Sequence, residues 1–280
     1  MTVRQDYAVD RFLKRLRRTD LLGDRRVVFV VSLLIGGIVW QVLGTFVIDP
    51  EVISTPRIVA IESYDLLVSG VLVEHMGLTL RRTLLAMLVT TTVGSVVGLL
   101  AGWNEFWRHM LQDYIIVGLA MPSLLAAVFA AMWFGTSDLT PTVAGTLLGF
   151  PFLAQNVKNA VENLDAELVD MSKAFDVSRD RYVRRTVVMS VLPAWFSGMR
   201  NAFTVTWKIV TVAEFVGIPN GVGFKIAESF QLFSMEGVLA WTLTFSVVII
   251  AIEFAVFESV ERRVFDWRSG GKIGLGAGGG

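Results

Sequence analysis

Charged residues inside long apolar stretches are the strongest chemical signal in this sequence. Lys208, Glu214 and Glu253 each interrupt a run of apolar residues. A charge at the bilayer centre costs about 2.5–3.5 kcal/mol on insertion scales, so it usually faces protein or water and marks a pathway. We predict that Lys208 attracts an anion and that Glu214 makes an interhelical or gate-closing contact, with Glu253 as their partner. Arg200, which is equally compatible with a headgroup anchor, and Trp207 complete the candidate path.

Motifs for catalysis are absent. The chain has no cysteine and two histidines, and it contains neither GxxxxGK[ST] nor HExxH. It therefore lacks the loop that cradles ATP phosphates and the ligand spacings typical of zinc enzymes. We predict no catalytic, cofactor-binding or metal-binding residues in this chain. The formal net charge is zero, so no nucleic-acid partner is predicted.

The distribution of apolar residues predicts an all-α integral membrane protein. Of the 280 residues, 54% are hydrophobic and only 18% are charged, with a mean hydropathy of +0.60. These residues form blocks long enough to span a bilayer. Six transmembrane helices are predicted, at Val27–Ile48, Thr83–Trp103, Tyr114–Phe134, Leu139–Val157, Asn201–Ile218 and Gly237–Phe257.

Lys and Arg predict the orientation of these spans. Eight lie in residues 1–26 and six in the loop at about 158–193. Because cytoplasmic segments carry the excess of basic residues, both termini and this loop are predicted to be cytoplasmic. The expected organisation is a cytoplasmic tail (1–26), a six-span domain (27–268) and a flexible Gly-rich tail (269–280).

Two further patterns concern packing. Gly94, Gly98 and Gly102 recur every four residues, a spacing that lets two membrane helices approach closely. Pro122 and Pro151 are expected to kink their spans.

The segment Ile58–Met76 is predicted to be amphipathic and to lie along the outer surface, where a binding protein could dock.

The loop at 158–193 contains a helical pattern of its own. Leu164, Leu168, Met171 and Phe175 recur at spacings of four, three and four and form one apolar stripe. Two interpretations are open. The helix either lies on the headgroups, or it offers its apolar stripe to a cytoplasmic partner.

Short pieces along the whole chain resemble the permease subunit of type I ABC importers, in the branch serving nitrate, sulfonates and taurine. The likeness runs from about Trp40 to Trp267. The pieces are Thr79-Leu80-Arg81-Arg82, AMPSLLA around Pro122, Trp133-Phe134-Gly135, Leu192-Pro193, GMRNAFTVTWKIVTVAE at 198–214, Gly221-Val222-Gly223-Phe224 and ERRVFDW at 261–267.

The resemblance implies the type I permease fold, with a cytoplasmic EAA loop whose coupling helices insert into a cleft on the ATPase. Asp176 stands where the family has glycine, and Met189 replaces the first of two prolines. The family's Glu-Ala-Ala falls on 170–172. The implied coupling residues are Leu168, Asp170, Met171, Ser172, Phe175, Asp176 and Pro193.

The resemblance also implies a function. The chain would form the translocation path of an ATP-driven importer for a small, anionic organic or inorganic solute in the cell membrane. Its partners would be cytoplasmic ABC ATPases that bind Mg-ATP, a second permease chain (identical or different), an extracytoplasmic solute-binding protein and membrane lipid. The intramembrane charges leave open a secondary transporter driven by an ion gradient, and a structural membrane protein is a further alternative.

Overall fold

The computed structural model describes residues 25–47, 54–164, 167, 171 and 174–260, and its regular secondary structure is helical throughout these residues. This confirms the predicted all-α class. Short π-helical turns lie at Leu43–Val47, Val183–Val187 and Glu253–Glu258. The helices are α1 (Arg25–Val42), α2 (Pro56–Val68), α3 (Val71–Trp103), α4 (Glu105–Ala120), α5 (Ser123–Phe134), α6 (Leu139–Glu162), α7 (Arg179–Tyr182), α8 (Val188–Gly217), α9 (Val222–Gln231) and α10 (Met235–Ile252).

Among the described residues, length and composition identify three helices that could cross a membrane alone: Val27–Val47, Val71–Trp103 and Met235–Phe257. Two bent pairs raise the number to five. α4 and α5 meet at 105°, and the helix Asp180–Gly217 meets α9 at 47°. The first bend falls at Met121 and Pro122, where proline interrupts the helix, as the sequence predicted for this span.

The predicted fourth span corresponds to α6, which is 24 residues long but is not among the helices that pass this test. Its polar residues, such as Thr142, Gln155 and Asn156, lower its mean apolarity. α6 packs against α3 and α8, and buried residues occur along its whole length. A helix enclosed by other helices does not need an apolar surface on every side.

The glycine stripe confirms the close packing of α3 against α6. A Cβ on Gly98 would lie 2.6 Å from the carbonyl oxygen of Ala154 and 2.7 Å from Cβ of Val157. Gly94 and Gly102 are similarly close to α6, at Leu153 and Val161. The two backbones therefore touch over two helical turns, which fixes the position of α3 on α6.

The segment predicted to lie along the outer surface, Ile58–Met76, covers parts of two helices. Gly70 lies between α2 and α3 with φ +80, a backbone conformation that glycine adopts without strain. The last six residues of the segment are the first part of the long span α3. α2 packs against α10 and buries Val59. The tails at 1–24 and 261–280 lie outside the described residues.

Candidate functional site

A buried ion pair joins α3 to α8. The side chain of Arg82 is 1% exposed, that of Glu214 is 0% exposed, and Arg82 Nη1 lies 2.7 Å from Glu214 Oε1. Two opposite charges taken out of water stabilise a structure only when their remaining hydrogen-bonding groups are also satisfied. The neighbours of this pair meet that condition.

Arg82 uses its other guanidinium nitrogens on the turns beside it. Its Nε donates to Asp138 Oδ1 at 2.9 Å, and its Nη1 donates to the carbonyl oxygen of Asn220 at 3.1 Å. Its Nη2 bonds the side-chain oxygen of Asn220, and Arg81 pairs with Asp138. The hydrogen bond from Arg82 holds the pKa of the Asp138 carboxyl below its ordinary value, so Asp138 stays ionised at neutral pH.

Glu214 is bonded equally well through its second oxygen. Oε2 accepts from Thr79 Oγ1 at 2.8 Å and from the amide of Gly223 at 3.1 Å. The amide of Val222 in turn donates to Thr79 Oγ1 at 2.8 Å. Gly221 has φ +102, and any Cβ there would overlap the Glu214 carboxyl. The chain can follow this turn only with glycine at 221.

These residues form the buried ion network, comprising Arg82, Glu214, Asp138, Thr79 and Asn220. It ties α3 and α8 to the turn before α6 and to the turn between α8 and α9. The sequence predicted an interhelical contact for Glu214, and the structure gives it one. Sequence reasoning named Arg82 within the motif at 79–82 and missed it as the partner, although a buried carboxylate implies a nearby cation.

A cavity of about 300 Å³ lies between α8, α9 and α10. Trp207, Lys208, Thr211, Phe245 and Ser246 are among its lining residues. The Lys208 ammonium lies 5.5 Å from the centre of the Trp207 ring, and within the described residues it forms no ion pair. This Lys208 pocket combines one cation, aromatic walls and hydroxyl groups, which suits a small anion with an apolar part.

The prediction that Glu253 is the partner of Lys208 or Glu214 is wrong. Glu253 pairs with Arg200, whose Nη2 lies 3.1 Å from Glu253 Oε1, and both side chains are partly exposed. α8 and α10 run in opposite directions, so residue 253 near the end of α10 lies beside the first half of α8. Lys208 and Glu214 lie farther along α8, away from Glu253.

The described residues between α6 and α7, which are 163, 164, 167, 171 and 174–178, lie at the other end of α6 and α8 from the buried ion network. Met171 is 53% exposed and Phe175 is 77% exposed. Asp176 has φ +51, the left-handed conformation that glycine usually supplies at a helix end. Leu168, Asp170 and Ser172 lie outside the described residues. Together these positions are called the coupling segment.

The loop that carries the coupling segment is shorter than predicted. α6 continues to Glu162 and α8 begins at Val188, so both helices extend into the range 158–193. Pro193 lies inside α8 rather than in the loop.

The family model for binding-protein-dependent transport system inner membrane components matches residues 94–266. The chain belongs to this family. The match includes the coupling segment, the Lys208 pocket and Glu214.

Relatives from several bacteria agree with this assignment. A protein of Bacillus subtilis named for aliphatic sulfonates transport, SsuC, is 25% identical over 88% of this chain and 91% of its own length. The taurine transport permease TauC of Escherichia coli is 21% identical over 81% of this chain and 84% of its own. The formylaminopyrimidine transport permease ThiX of Halalkalibacterium halodurans is 21% identical over 82% and 92%.

The fold is also found in a solved structure. A crystal structure of an amino acid ABC transporter with histidines matches with a TM-score of 0.58 and 16% identity, over 73% of this chain and 96% of the other. The chain is thus a multi-pass membrane protein with the type I permease fold, and it is the permease subunit of an ABC importer. The family favours this function over the ion-gradient-driven alternative.

Proposed function

We propose that this permease imports a small organic or inorganic anion of the sulfonate or nitrate kind. The observation that carries the proposal is Lys208, which places a cation on the wall of the Lys208 pocket. Lys208 is exposed on this wall, and within the described residues its positive charge is not paired, so it can attract a negatively charged solute. Two of the relatives above are named for sulfonated compounds, aliphatic sulfonates and taurine.

Lys208 is the main hydrogen-bond donor that the pocket can offer to an anion, because the hydroxyl groups of Thr211 and Ser246 already donate to the backbone. Thr211 Oγ1 donates to the Trp207 carbonyl oxygen at 2.9 Å, and Ser246 Oγ donates to the Thr242 carbonyl oxygen at 2.7 Å. Both hydroxyl hydrogens are therefore engaged with the preceding helical turn. A sulfonate or nitrate would bind mainly to the ammonium group, with its remaining surface against the Trp207 and Phe245 rings.

ATP hydrolysis would be supplied by separate cytoplasmic ABC ATPases that bind Mg-ATP. The exposed Met171 and Phe175 support a docking site for them, because apolar side chains outside a bilayer gain free energy when a partner covers them. A second permease chain, identical or different, would complete the path, and an extracytoplasmic binding protein would deliver the solute. The buried ion network would then hold the outer ends of the helices together as a gate.

This mechanism requires both termini and the coupling segment to lie in the cytoplasm, and the absence of native cysteine allows a direct test. A cysteine at Ser172 should react with a membrane-impermeant thiol reagent only after the inner face is opened. A cysteine at Ser69, in the exposed turn between α2 and α3, should react in intact cells. The reverse labelling pattern would invert the orientation and exclude import by this arrangement.

Transport assays test the role of Lys208. We expect Lys208→Met to raise the KM for sulfonate uptake about tenfold or more, because the only charged donor on the pocket wall is lost. Lys208→Arg keeps the charge and should retain most uptake. Lys225→Met is the matched control, because Lys225 already pairs with Glu228 at 2.6 Å. Unchanged uptake by Lys208→Met, with normal binding of the ATPase, would remove Lys208 from the path.

A further inference from the structure

An apolar groove of about 460 Å³ lies where the end of α3 meets the start of α8. Leu99 and Trp103 line it from α3, and Val188, Val191 and Trp195 line it from α8. Its one hydroxyl group, on Ser95, already accepts a hydrogen bond from Trp195 Nε1 at 2.7 Å. The walls therefore offer contact area and almost no polar group to a ligand, so the part of the ligand inside the groove must be apolar.

Two arginines lie beside the end of the groove nearest the coupling segment. Arg184 directly follows Val183, which lines the groove, and Arg181 precedes Val183 by two residues, in the helical turns that lead into α8. Both arginines are exposed, and neither forms an ion pair within the part of the chain that the structure describes. The groove thus has an apolar body and a basic end.

We propose that this groove binds an acyl chain of an anionic phospholipid, whose phosphate contacts Arg181 and Arg184. Guanidinium groups bind phosphate with paired, charge-assisted hydrogen bonds. Trp103, half exposed at the end of α3, is the type of residue that lies at the level of lipid headgroups.

The site would fasten the junction between the coupling segment and the membrane. Val183 and Val187, in the π-helical turn that leads into α8, also line the groove. A bound lipid would hold this turn against α3 while the coupling segment engages its partner. The proposed orientation places the site in the cytoplasmic leaflet, which carries the anionic lipids, but lipid binding in a symmetric bilayer or in detergent does not depend on it.

Native mass spectrometry of the full-length chain, purified with the subunits that accompany it and then delipidated, tests the proposal. Phosphatidylglycerol and phosphatidylcholine with identical acyl chains are added separately. We expect phosphatidylglycerol to bind about tenfold more tightly or better, since each basic residue near a membrane surface contributes to the attraction of anionic lipid. Equal affinities for the two lipids would overturn the proposal.

Variants separate the two parts of the site. The double variant Arg181→Gln, Arg184→Gln should lower phosphatidylglycerol affinity to the level of phosphatidylcholine and leave the latter unchanged. Leu99→Trp fills the groove from an exposed position and should weaken both lipids. Arg57→Gln, exposed on α2 outside the groove, is the matched control and should change neither.

Two outcomes would reject the site after the variants are shown to fold normally by thermal unfolding without added lipid. One is a phosphatidylglycerol preference that survives the double arginine variant and Leu99→Trp. The other is efficient disulfide formation between two Val188→Cys chains in native membranes, because that result would place a second permease chain over the groove.

Discussion

The two ends of the helix bundle differ in which energetically unfavourable groups they carry: one has buried charges, and the other has exposed apolar side chains. At the buried ion network, Arg82 and Glu214 are removed from solvent, and each is paired within the chain. At the coupling segment, Met171 and Phe175 are apolar and exposed. Buried charge is tolerated when the same chain supplies the counter-charge, whereas exposed apolar surface outside the bilayer is typical of a site that a partner covers. One end is complete in a single chain, and the other is not.

α8 connects these two ends. It runs without a break from Val188 to Gly217 and carries Glu214 near its last turn. At 1.5 Å per residue, Val188 and Glu214 are about 39 Å apart along the axis. A force applied beside the coupling segment would therefore be transmitted by a continuous helix to the buried ion network, with the Lys208 pocket in between. Rigid helices of this kind are common in the transitions of transporters.

The largest expected effect lies at the buried ion network. Glu214→Gln preserves the shape of the side chain but leaves Arg82 with only the half-exposed Asp138 as a counter-charge. Removing one partner of a buried ion pair costs about 3–5 kcal/mol, and we expect the lower end because Asp138 remains. Thermal unfolding of the purified protein in detergent measures the loss.

The pair between Arg200 and Glu253 is the matched control for that variant. It joins α8 to the π-helical turn after α10, and both side chains are partly exposed. Glu253→Gln should cost no more than about 1 kcal/mol, because solvent screens the pair. Arg82→Met combined with Glu214→Leu should recover much of the loss. Equal losses of unfolding free energy in Glu214→Gln and Glu253→Gln would show that burial does not make the first ion pair more important than the second.

At the coupling segment we expect an effect on binding and almost none on folding. Phe175→Ala should leave the free energy of unfolding within about 0.5 kcal/mol of its original value, because the side chain is 77% exposed. It should weaken ATPase binding by about 1.5–3 kcal/mol, the value of burying one large apolar side chain. Co-purification of the ATPase and substrate-stimulated ATP hydrolysis in reconstituted membranes are the measurements.

Phe233 provides the control for Phe175. It is 90% exposed in the turn between α9 and α10, at the end of the molecule opposite the coupling segment. Phe233→Ala should leave ATPase co-purification unchanged. If Phe175→Ala also binds and stimulates the ATPase normally, the coupling segment lies on the headgroups. The exposed apolar end of the molecule would then not be a site that the ATPase covers.

The smallest effect concerns the backbone at Asp176. Its φ of +51 is strained for a residue with a Cβ, and glycine removes that strain. Asp176→Gly should stabilise the turn by up to about 1 kcal/mol, partly offset by the greater freedom of glycine in the unfolded chain, and coupling should be preserved or improved. Asp180→Gly, within α7, should instead lower stability by up to about 1 kcal/mol. A loss of coupling in Asp176→Gly would show that the aspartate side chain itself contacts the partner.

The sequence by itself determined the helical class, most of the spans and the family, because apolar block length and short motifs are local properties of the chain. It also identified the glycine stripe at Gly94, Gly98 and Gly102, since a four-residue repeat on a helix can be recognised without knowing its neighbour. The resemblance to the family identified Asp176 as a glycine position, and its φ of +51 is the left-handed conformation that glycine usually supplies. The size of a bend could not be predicted from the sequence. The 105° break between α4 and α5 was expected only as a kink.

Only the tertiary structure decided which charges meet. Arg82 and Glu214 are 132 residues apart in sequence, and no spacing rule joins them. Glu253 was assigned to the wrong part of α8, because the alignment of two antiparallel helices depends on packing along their whole length rather than on composition. The groove beside Trp103 likewise forms only where the end of α3 meets the start of α8. Local sequence patterns determine where each helix forms and which of its faces is apolar. The contacts between helices depend on how far each helix is shifted and rotated relative to its neighbours, and close packing sets those positions.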